Sequence, residues 1–599
     1  MKKDMLSKII DFVFTKNNTK YLVLLLIIAF FLRFVFAFTI GGSPDEMVYG
    51  VHASGIINSG LLQEMHEDPI WMYLTDLNYK IFGVTLVSSR LLSMIFGALS
   101  VLSLYLLTKE MFNKKIALIA SILLTFSSFH ILMTLTEMDV TMTFFVLLSS
   151  YFLVKYLKED KLRYYITATI LLGIGILVKN IAALFIPAYI LITLFYPKLK
   201  NKERILSKKN IKSLVIFFLI MFIIAIPTLT FNYILYKEKG LTDVQFSRFL
   251  SSENKGIYQS ISNTIQPFNL KVLLINQENG IPGIVKGLKF YWQYELILLI
   301  MFIFGVIISM KKEVYWTIYL SLLFLIPFIF LSGTSLLEKH FVFAIPIFCI
   351  FSSIFIDRIS GFSKNNSKYI ILVLVIVFLI FSTTVLYKHT KSQGKNVIQE
   401  TIEYKQKNIE ENSLVIVDSR IYNGRISFMF NDRNYLETSY LSQLLPQLNQ
   451  QTNKKIKTYF IECITDDCGW GTISKQPELN QSTENIVTNF KKISNLKGTI
   501  YDGNEPYINV YETEFPLIPG MIESIQSTHN FFFYPVNYKP KENIILKYEA
   551  KNPIHKGMDI IAHFILYIEI LISILSIILL FIILKKDYEN EALNNNADL

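Results

Sequence analysis

The sequence predicts a multi-pass α-helical membrane protein, with about twelve transmembrane helices and a C-terminal extracytoplasmic α/β domain. Three observations predict it. The 599 residues are 52% hydrophobic and only 18% charged, where a soluble chain carries about a quarter charged residues. The apolar residues gather in runs close to the ~20 residues that cross a hydrocarbon core. Lysine and arginine fall between those runs on alternate sides, as membrane orientation demands. The formal charge of +11 resides largely in those loops, so it reads as orientation and not as a nucleic-acid surface.

The runs centre on 21–40, 85–108, 114–131, 140–157, 164–178, 181–196, 213–235, 293–310, 313–333, 340–357, 369–387 and 559–584. The first is too long for a signal-peptide core, and an acidic loop follows it instead of a small-residue cleavage site. It reads as a retained helix. With the N-terminus cytoplasmic, the inside loops are TKEMFNKK, KYLKEDKLR, PKLKNKERILSKKNIK, MKKE, DRISGFSKNNSK and the final KKDYENEALNNNADL. Each is basic. On the other side, 41–84 contains only Lys80, and 132–139 contains no lysine or arginine.

The alternation predicts a plasma-membrane protein with both termini cytoplasmic. Residues 1–388 form a transmembrane module with outward loops at 41–84 and 236–292. Residues 389–557 lie outside, 558–584 form the last helix, and 585–599 a cytoplasmic tail.

Within the external segment, SLVIVD (413–418), KTYFIEC (457–463) and YINVYET (507–513) read as strands. LETSYLSQLLPQL and ENIVTNFKKI read as helices. Cys463 and Cys468 are close enough for a small-loop disulfide if the segment faces an oxidising compartment. Two cysteines without a neighbouring histidine do not make a structural zinc site.

Chemistry-bearing residues collect on the predicted outer side. Gly41-Gly42-Ser43-Pro44 ends the first helix and presents Asp45 and Glu46 at the membrane edge. The simple alternative is an acidic helix cap. Glu137 and Asp139 occupy the next outer connection, where carboxylates are costly unless solvated, paired or used. For Glu137 interfacial hydration is the simpler reading; Asp139 starts the following helix and can face the same cavity as Asp45.

Lys179 breaks two apolar runs, either snorkelling to the interface or meeting a lipid phosphate. Arg90, Lys339 and His340 also fall near outer helix ends. For Arg90 the simpler reading is a salt bridge that positions helices, and for His340 an interfacial hydrogen bond. His66, Glu67 and Asp68 have metal-capable side chains, but adjacency in sequence is not coordination geometry. No cofactor is implied, and a divalent metal stays open.

Sugar transfer from a phosphate carrier to a hydroxyl needs a base for the acceptor proton. It also needs cations for the charge that grows on the departing phosphate. Asp45 supplies the first, and Lys179, Arg90 or His340 the second. No Walker or dinucleotide glycine motif is present, which makes a soluble nucleotide sugar the poorer donor. A transporter or lipid-linked-sugar flippase is the rival reading, although such folds hold polar sites near the midplane in matched halves. A scaffold working through its external domain is the third.

At these residues the chain resembles the GT-C glycosyltransferases of the dolichyl-phosphate-mannose–protein mannosyltransferase superfamily, which includes the aminoarabinose transferases. PDEMVYG is similar to that family's Pro-Asp-Glu-x-x-Tyr loop. EDPIWMYLTDLNYKIFGVTLVSSRLLSMIFG, TEMDVTMTFFVLL, GIGILVKN and KHFVFAIP follow in the family's order. The resemblance spans roughly residues 20–190, thins to about 360 and does not extend over 389–557.

The resemblance implies Asp45 as general base, with Glu46 and Asp139 lining the same cavity. It also implies Lys179, Arg90 and His340, with its neighbour Lys339, at the carrier phosphate. The implied partners are a polyprenyl-phosphate sugar donor, a protein, lipid or glycan acceptor and the membrane lipids. Val48 and Asp68 stand where the aminoarabinose branch has basic residues. The Trp-Trp-Asp signature of oligosaccharyltransferases is absent.

Overall fold

The computed structural model describes residues 18–40, 44–54, 56, 69–201, 204–205, 207–240, 242, 268–275, 281–334, 337–362, 367–393, 397–421, 423–430, 432–439, 441, 455–464, 468, 480–502, 505–516, 536–537 and 550–597. The turn at 41–43, the triplet at 66–68 and most of the loop at 236–292 lie outside the described residues.

All twelve predicted runs are helical. The first half holds α1 (Asn18–Thr39), α2 (Pro44–Ala53), α3 (Pro69–Phe82), α4 (Leu86–Met111), α5 (Lys114–Phe126) and α6 (Ser128–Leu132). Then come α7 (Asp139–Glu159), α8 (Leu162–Val178), a 3₁₀ turn (Asn180–Phe185), α9 (Ile186–Asn201) and α10 (Lys208–Lys239). They are followed by α11 (Leu270–Leu274), α12 (Gly283–Lys312), α13 (Val314–Ser332), a second 3₁₀ turn (Glu338–Phe343), α14 (Ala344–Gly361) and α15 (Ser367–Gln393).

Local chemistry marks several of the ends. Thr85 and Ser88 form a reciprocal capping box at the start of α4. The Asn113 side chain accepts from Ile116 N at 3.0 Å to start α5. Gly83, at φ 74°, takes the left-handed conformation just after α3.

Among the described residues, ten helices are long and apolar enough to cross a membrane. The other two predicted runs are short helices, the 17-residue α8 and the 13-residue α5. The run at 114–131 is divided by Ser127. Glu295 of α12 satisfies the polar groups of that break, accepting from Ser127 Oγ at 2.6 Å and Phe129 N at 2.9 Å. The expected count of about twelve therefore resolves into ten full-length spans and two shorter segments.

α4 and α7 form the centre, with 89% of their span residues buried, against 22–28% for α1, α10, α15 and α19. The peripheral helices turn Phe31, Val215, Ile380 and Phe564 outward. An apolar surface of this extent suits lipid and not water. Ion pairs Lys109–Asp587, Lys115–Asp357 (2.7 Å) and Lys158–Glu110 (3.2 Å) gather the ends of α4, α5, α7, α14 and α19. Several of the basic loops thus share one end of the bundle.

The C-terminal domain opens with α16 (Val397–Asn408), β1 (Leu414–Val417), α17 (Asn423–Met429), β2 (Asn434–Glu437) and β3 (Lys455–Cys463). It continues with α18 (Asn480–Ile493), β4 (Asn495–Asp502), β5 (Glu505–Pro516) and β6 (Val536–Asn537). The long α19 (Pro553–Ala597) then returns through the bundle.

The six-stranded sheet has the order β4-β5-β3-β1-β2-β6. β2, β1 and β3 are parallel, and the outer strands pair antiparallel. β1 is central, and Val415, Ile416 and Val417 are all buried, as a strand covered on both faces requires. LETSYLSQLLPQL was expected to be helical throughout. It opens instead in β2, where Leu436 and Glu437 pair with Ile416 and Val417; 438, 439 and 441 are helical, and 440 and 442–448 lie outside the described residues. Cys463 and Cys468 form a disulfide at the end of β3.

Candidate active site

At the bundle end opposite the basic loops, five chain segments stop or bend, and each delivers charge there. α2 brings Asp45 and Glu46 in its first turn, where the helix dipole favours carboxylates. Asp139 occupies the same position in α7. Lys179 is the extended residue between α8 and the 3₁₀ turn that follows. Lys339 and His340 lie in the second 3₁₀ turn, just before α14. Glu137 comes from the irregular connection ahead of α7. Placing charges at helix ends avoids the cost of holding them at mid-span.

Two bridged groups result. Lys339 Nζ spans two carboxylates, Asp45 at 2.7 Å and Glu137 at 2.9 Å. Asp139 is held from two sides, by Lys179 Nζ at 2.9 Å and His340 Nδ1 at 2.9 Å. The Tyr49 ring lies beneath both ammonium groups, 5.1 Å from Lys339 and 6.0 Å from Lys179, and joins the two groups by cation–π contact. Asp139, Lys179, Lys339 and Glu137 are almost wholly buried, whereas the Asp45 side chain keeps 47% of its exposure. Asp45 is therefore the carboxylate of this cluster that an incoming molecule can reach.

Burial alone would raise the Asp45 pKa. The charge and hydrogen bond of Lys339, then Lys179 and His340, outweigh it and hold the carboxyl below its ordinary value. Asp45 therefore stays ionised. Glu137 moves the other way: burial pushes it up to about 7, with Lys339 opposing and Asp139 adding to the rise.

Glu46 and Arg90 have a different place. Arg90 grips Glu46 with a fork, Nε to Oε1 and Nη2 to Oε2, both at 2.8 Å. Its Nη1 donates to the Ala37 and Ile40 carbonyls at 2.6 and 2.9 Å, at the end of α1. Thr136 N donates to Glu46 at 2.6 Å. Both side chains are fully enclosed. Arg90, expected at a donor phosphate, instead ties α1, α2 and α4 together, and Glu46 lines no open space.

Two residues of the cluster were absent from the sequence-based site. Glu137 was read as hydrated, yet it lies buried against Lys339. Its signal was weak, because only its separation of two residues from Asp139 links it to the site. Tyr49 belongs to the PDEMVYG motif, but only the fold reveals that its ring faces two lysines.

A small apolar cavity of about 10 Å³ lies deeper in the bundle, lined by Thr143, Val146, Phe185, Leu323, Phe343 and Ile347 among others. Thr143 is one helical turn beyond Asp139, Phe343 three residues beyond His340 and Phe185 six beyond Lys179. Among the described residues, no group of three histidines, cysteines or carboxylates is arranged to hold a metal ion.

Residues 66–230 match the family model described as dolichyl-phosphate-mannose-protein mannosyltransferase. YkcB of Bacillus subtilis (strain 168), itself assigned only provisionally as a mannosyltransferase, is 30% identical over 141 residues, which are 23% of this chain and 20% of YkcB. An uncharacterised protein of Aquifex aeolicus (strain VF5) is 24% identical over 208 residues, 33% of this chain and 40% of that one. The chain spans only a fifth to two fifths of the length of these curated relatives.

Among solved structures, ArnT from Cupriavidus metallidurans bound to undecaprenyl phosphate superposes with a TM-score of 0.51 at 11% identity, covering 82% of this chain and 98% of that one. The Archaeoglobus fulgidus oligosaccharyltransferase in complex with zinc and sulfate gives 0.50 at 14% identity, covering 81% and 73%. At such identities the likeness is one of fold. The fold is that of the GT-C glycosyltransferases.

Proposed function

We propose that this GT-C-fold membrane protein transfers a single sugar, a hexose such as mannose, from a polyprenyl-phosphate donor to an acceptor hydroxyl on the extracytoplasmic face. One observation carries the reading: a half-exposed, ionised carboxylate, Asp45, stands beside two buried ammonium groups at the membrane edge. The match of residues 66–230 to the mannosyltransferase family model supports the reaction class. ArnT, of like fold, binds undecaprenyl phosphate, which supports the carrier. The Cys463–Cys468 disulfide and the basic loops gathered at the opposite end support an external site.

In this reading Asp45 accepts the proton of the acceptor hydroxyl. The acceptor oxygen forms its bond to the anomeric carbon as the carbon–oxygen bond to the phosphate breaks, inverting that centre. The bonding pair leaves with the phosphate, which gains a negative charge. Lys179, Lys339 and His340 are the groups placed to stabilise that charge.

The test supplies undecaprenyl-phosphate mannose to membranes carrying the full chain and follows mannose incorporation into envelope material. Asp45→Asn should stop transfer while the protein remains folded. Unchanged transfer by that variant would remove Asp45 from the chemistry.

A further inference from the structure

α2, which carries Asp45, Glu46 and Tyr49, is a ten-residue helix whose described neighbours are few. Its two main packing partners are α3, from the loop region, and α17, from the sheet domain. From Glu46 to Gly50 every residue of α2 is buried. α17 supplies part of that cover through Phe428, which is itself buried. A Cβ on Gly50 would stand 2.6 Å from the Phe428 ring and 3.0 Å from the Tyr79 hydroxyl, so glycine permits the two helices to meet. Tyr79 is in turn fixed to Ser89 of α4 at 2.7 Å. α2 is clasped between the membrane bundle on one side and the external domain on the other.

α17 is itself held firmly to the sheet. Arg425 Nη1 donates to the Tyr507 hydroxyl at 2.8 Å and to the Cys468 carbonyl at 3.3 Å. Ile421, just ahead of α17, bridges Cys468. Ser427 and Tyr435 share a hydrogen bond of 2.8 Å. Cys468, β5 and β2 therefore all restrain the helix whose ring touches Gly50.

We infer that Phe428 is a positioning residue for transfer: through its contact with Gly50, the sheet domain holds α2 and so sets the place of Asp45. This rests on the proposed role of Asp45 and gives the external domain a part in the reaction whatever acceptor it meets. The physical reason is that a reacting group displaced by about 1 Å loses much of its effect, on the order of a hundredfold. A ten-residue helix outside the long packed spans opens more readily than they do, so each contact that covers it counts.

The test uses the full chain in membranes or nanodiscs and has two arms. Hydrogen exchange is followed in the peptide 44–53, with 139–159 as the internal reference. Mannose transfer from undecaprenyl-phosphate mannose is measured as kcat and donor KM. Phe428→Ala should speed exchange in 44–53 by about tenfold and leave 139–159 unchanged. It should lower kcat by about tenfold or more with donor KM unaltered. Phe428→Leu should recover most of both, and Gly50→Ala should reproduce the loss by pushing the ring away.

Unchanged exchange in 44–53 overturns the inference regardless of the transfer rate. Faster exchange with wild-type kcat overturns the catalytic part of it. Global loss of protection, including 139–159, overturns it as well, because Phe428 would then serve folding alone. Asp45→Asn is assayed beside these variants. Full activity there defeats the role of Asp45, whereas the exchange arm still reports whether the domain restrains α2.

Discussion

Asp45 and Glu46 are neighbours in sequence, but they belong to two regions that use charge in opposite ways. Around Glu46 the charges are enclosed, the fork of Arg90 is complete, and backbone carbonyls take further guanidinium donors. Around Asp45 the charges are bridged but not sealed, and one carboxylate keeps nearly half its exposure. A closed ion pair between helices holds geometry, whereas removing one partner leaves a stranded charge. An open one leaves a group able to exchange its partner for a substrate. On the proposed reading, the contrast separates a structural carboxylate from a reacting one within two adjacent residues.

The sharpest way to break this comparison is Arg90→Ala. It strands the Glu46 carboxylate in a dry site and should cost about 3–5 kcal/mol. The expected outcome is loss of folded protein, read by the yield of monodisperse material and by thermal melting. Transfer then fails chiefly for want of protein, and any residual folded fraction should also turn over more slowly, because α2 has lost its tie to α1 and α4.

Asp45→Asn should do the reverse. Stability should change by less than about 1 kcal/mol, since the pair with Lys339 is partly open. The transfer rate should fall by about 10²–10⁴, the usual worth of a positioned base. A variant that melts as early as Arg90→Ala would show that the two regions do not differ.

Lys179→Met and Lys339→Met come next. Each removes one of the two ammonium groups, and each should cut kcat/KM about ten- to a hundredfold, on the scale of charge-assisted contacts worth ~1.5–3 kcal/mol. If donor phosphate meets Lys179 more closely, its loss should be felt mainly in donor KM. Measuring both variants at two donor concentrations separates the cases.

A smaller effect should come from pH. Three carboxylates, Asp45, Glu137 and Asp139, face Lys179, Lys339 and His340 in one cluster. An anionic donor adds to the negative side. Glu137 is pushed up to about 7, chiefly by burial. Lowering the pH through that value protonates it and leaves the charge of Lys339 to Asp45 and the phosphate. Donor KM should therefore fall about threefold or more between pH 8 and pH 6, within the tenfold allowed for each pKa unit. Glu137→Gln should flatten the profile at the tighter value. Asp45, held below its ordinary pKa, should contribute no loss of rate across the same range.

The smallest effect is the control. Lys457 and Glu410 pair at 2.6 Å on the sheet domain, with both side chains open to solvent. Glu410→Gln should leave both transfer and thermal stability unchanged within error.

Much of this was legible in the sequence. The apolar runs located the helices, because a span must satisfy its own backbone in lipid and only a long apolar helix does so. The basic loops between them predicted a common side for themselves, and the structure gathers several of those loops at one end. Asp45, Asp139, Lys179, Lys339 and His340, which the structure brings together at the other end, could be singled out because ionisable groups at the ends of apolar helices are rare and conspicuous. The strands at 413–418, 457–463 and 507–513 were legible through their alternating or continuous apolar patterns.

Pairing was not legible. Nothing in the order Asp45-Glu46 says that one carboxylate meets Lys339, 294 positions away, and the other Arg90, 44 positions away. Glu137 looked like a hydrated loop residue, because its burial depends on helices that arrive later in the chain. LETSYLSQLLPQL has helical periodicity, yet its first residues pair with β1, so tertiary hydrogen bonding prevailed over local pattern. The contact between Phe428 and Gly50 joins a domain to a loop 378 positions earlier and leaves no local trace.

By itself, then, the sequence determined which segments enter the membrane and which charges stand at their ends, because hydrophobic burial and the cost of intramembrane charge act on each segment separately. Only the tertiary structure decided which charge faces which, and how much water reaches each one. Those energies depend on distance and local dielectric between residues remote in the chain. They exist only once the helices have packed.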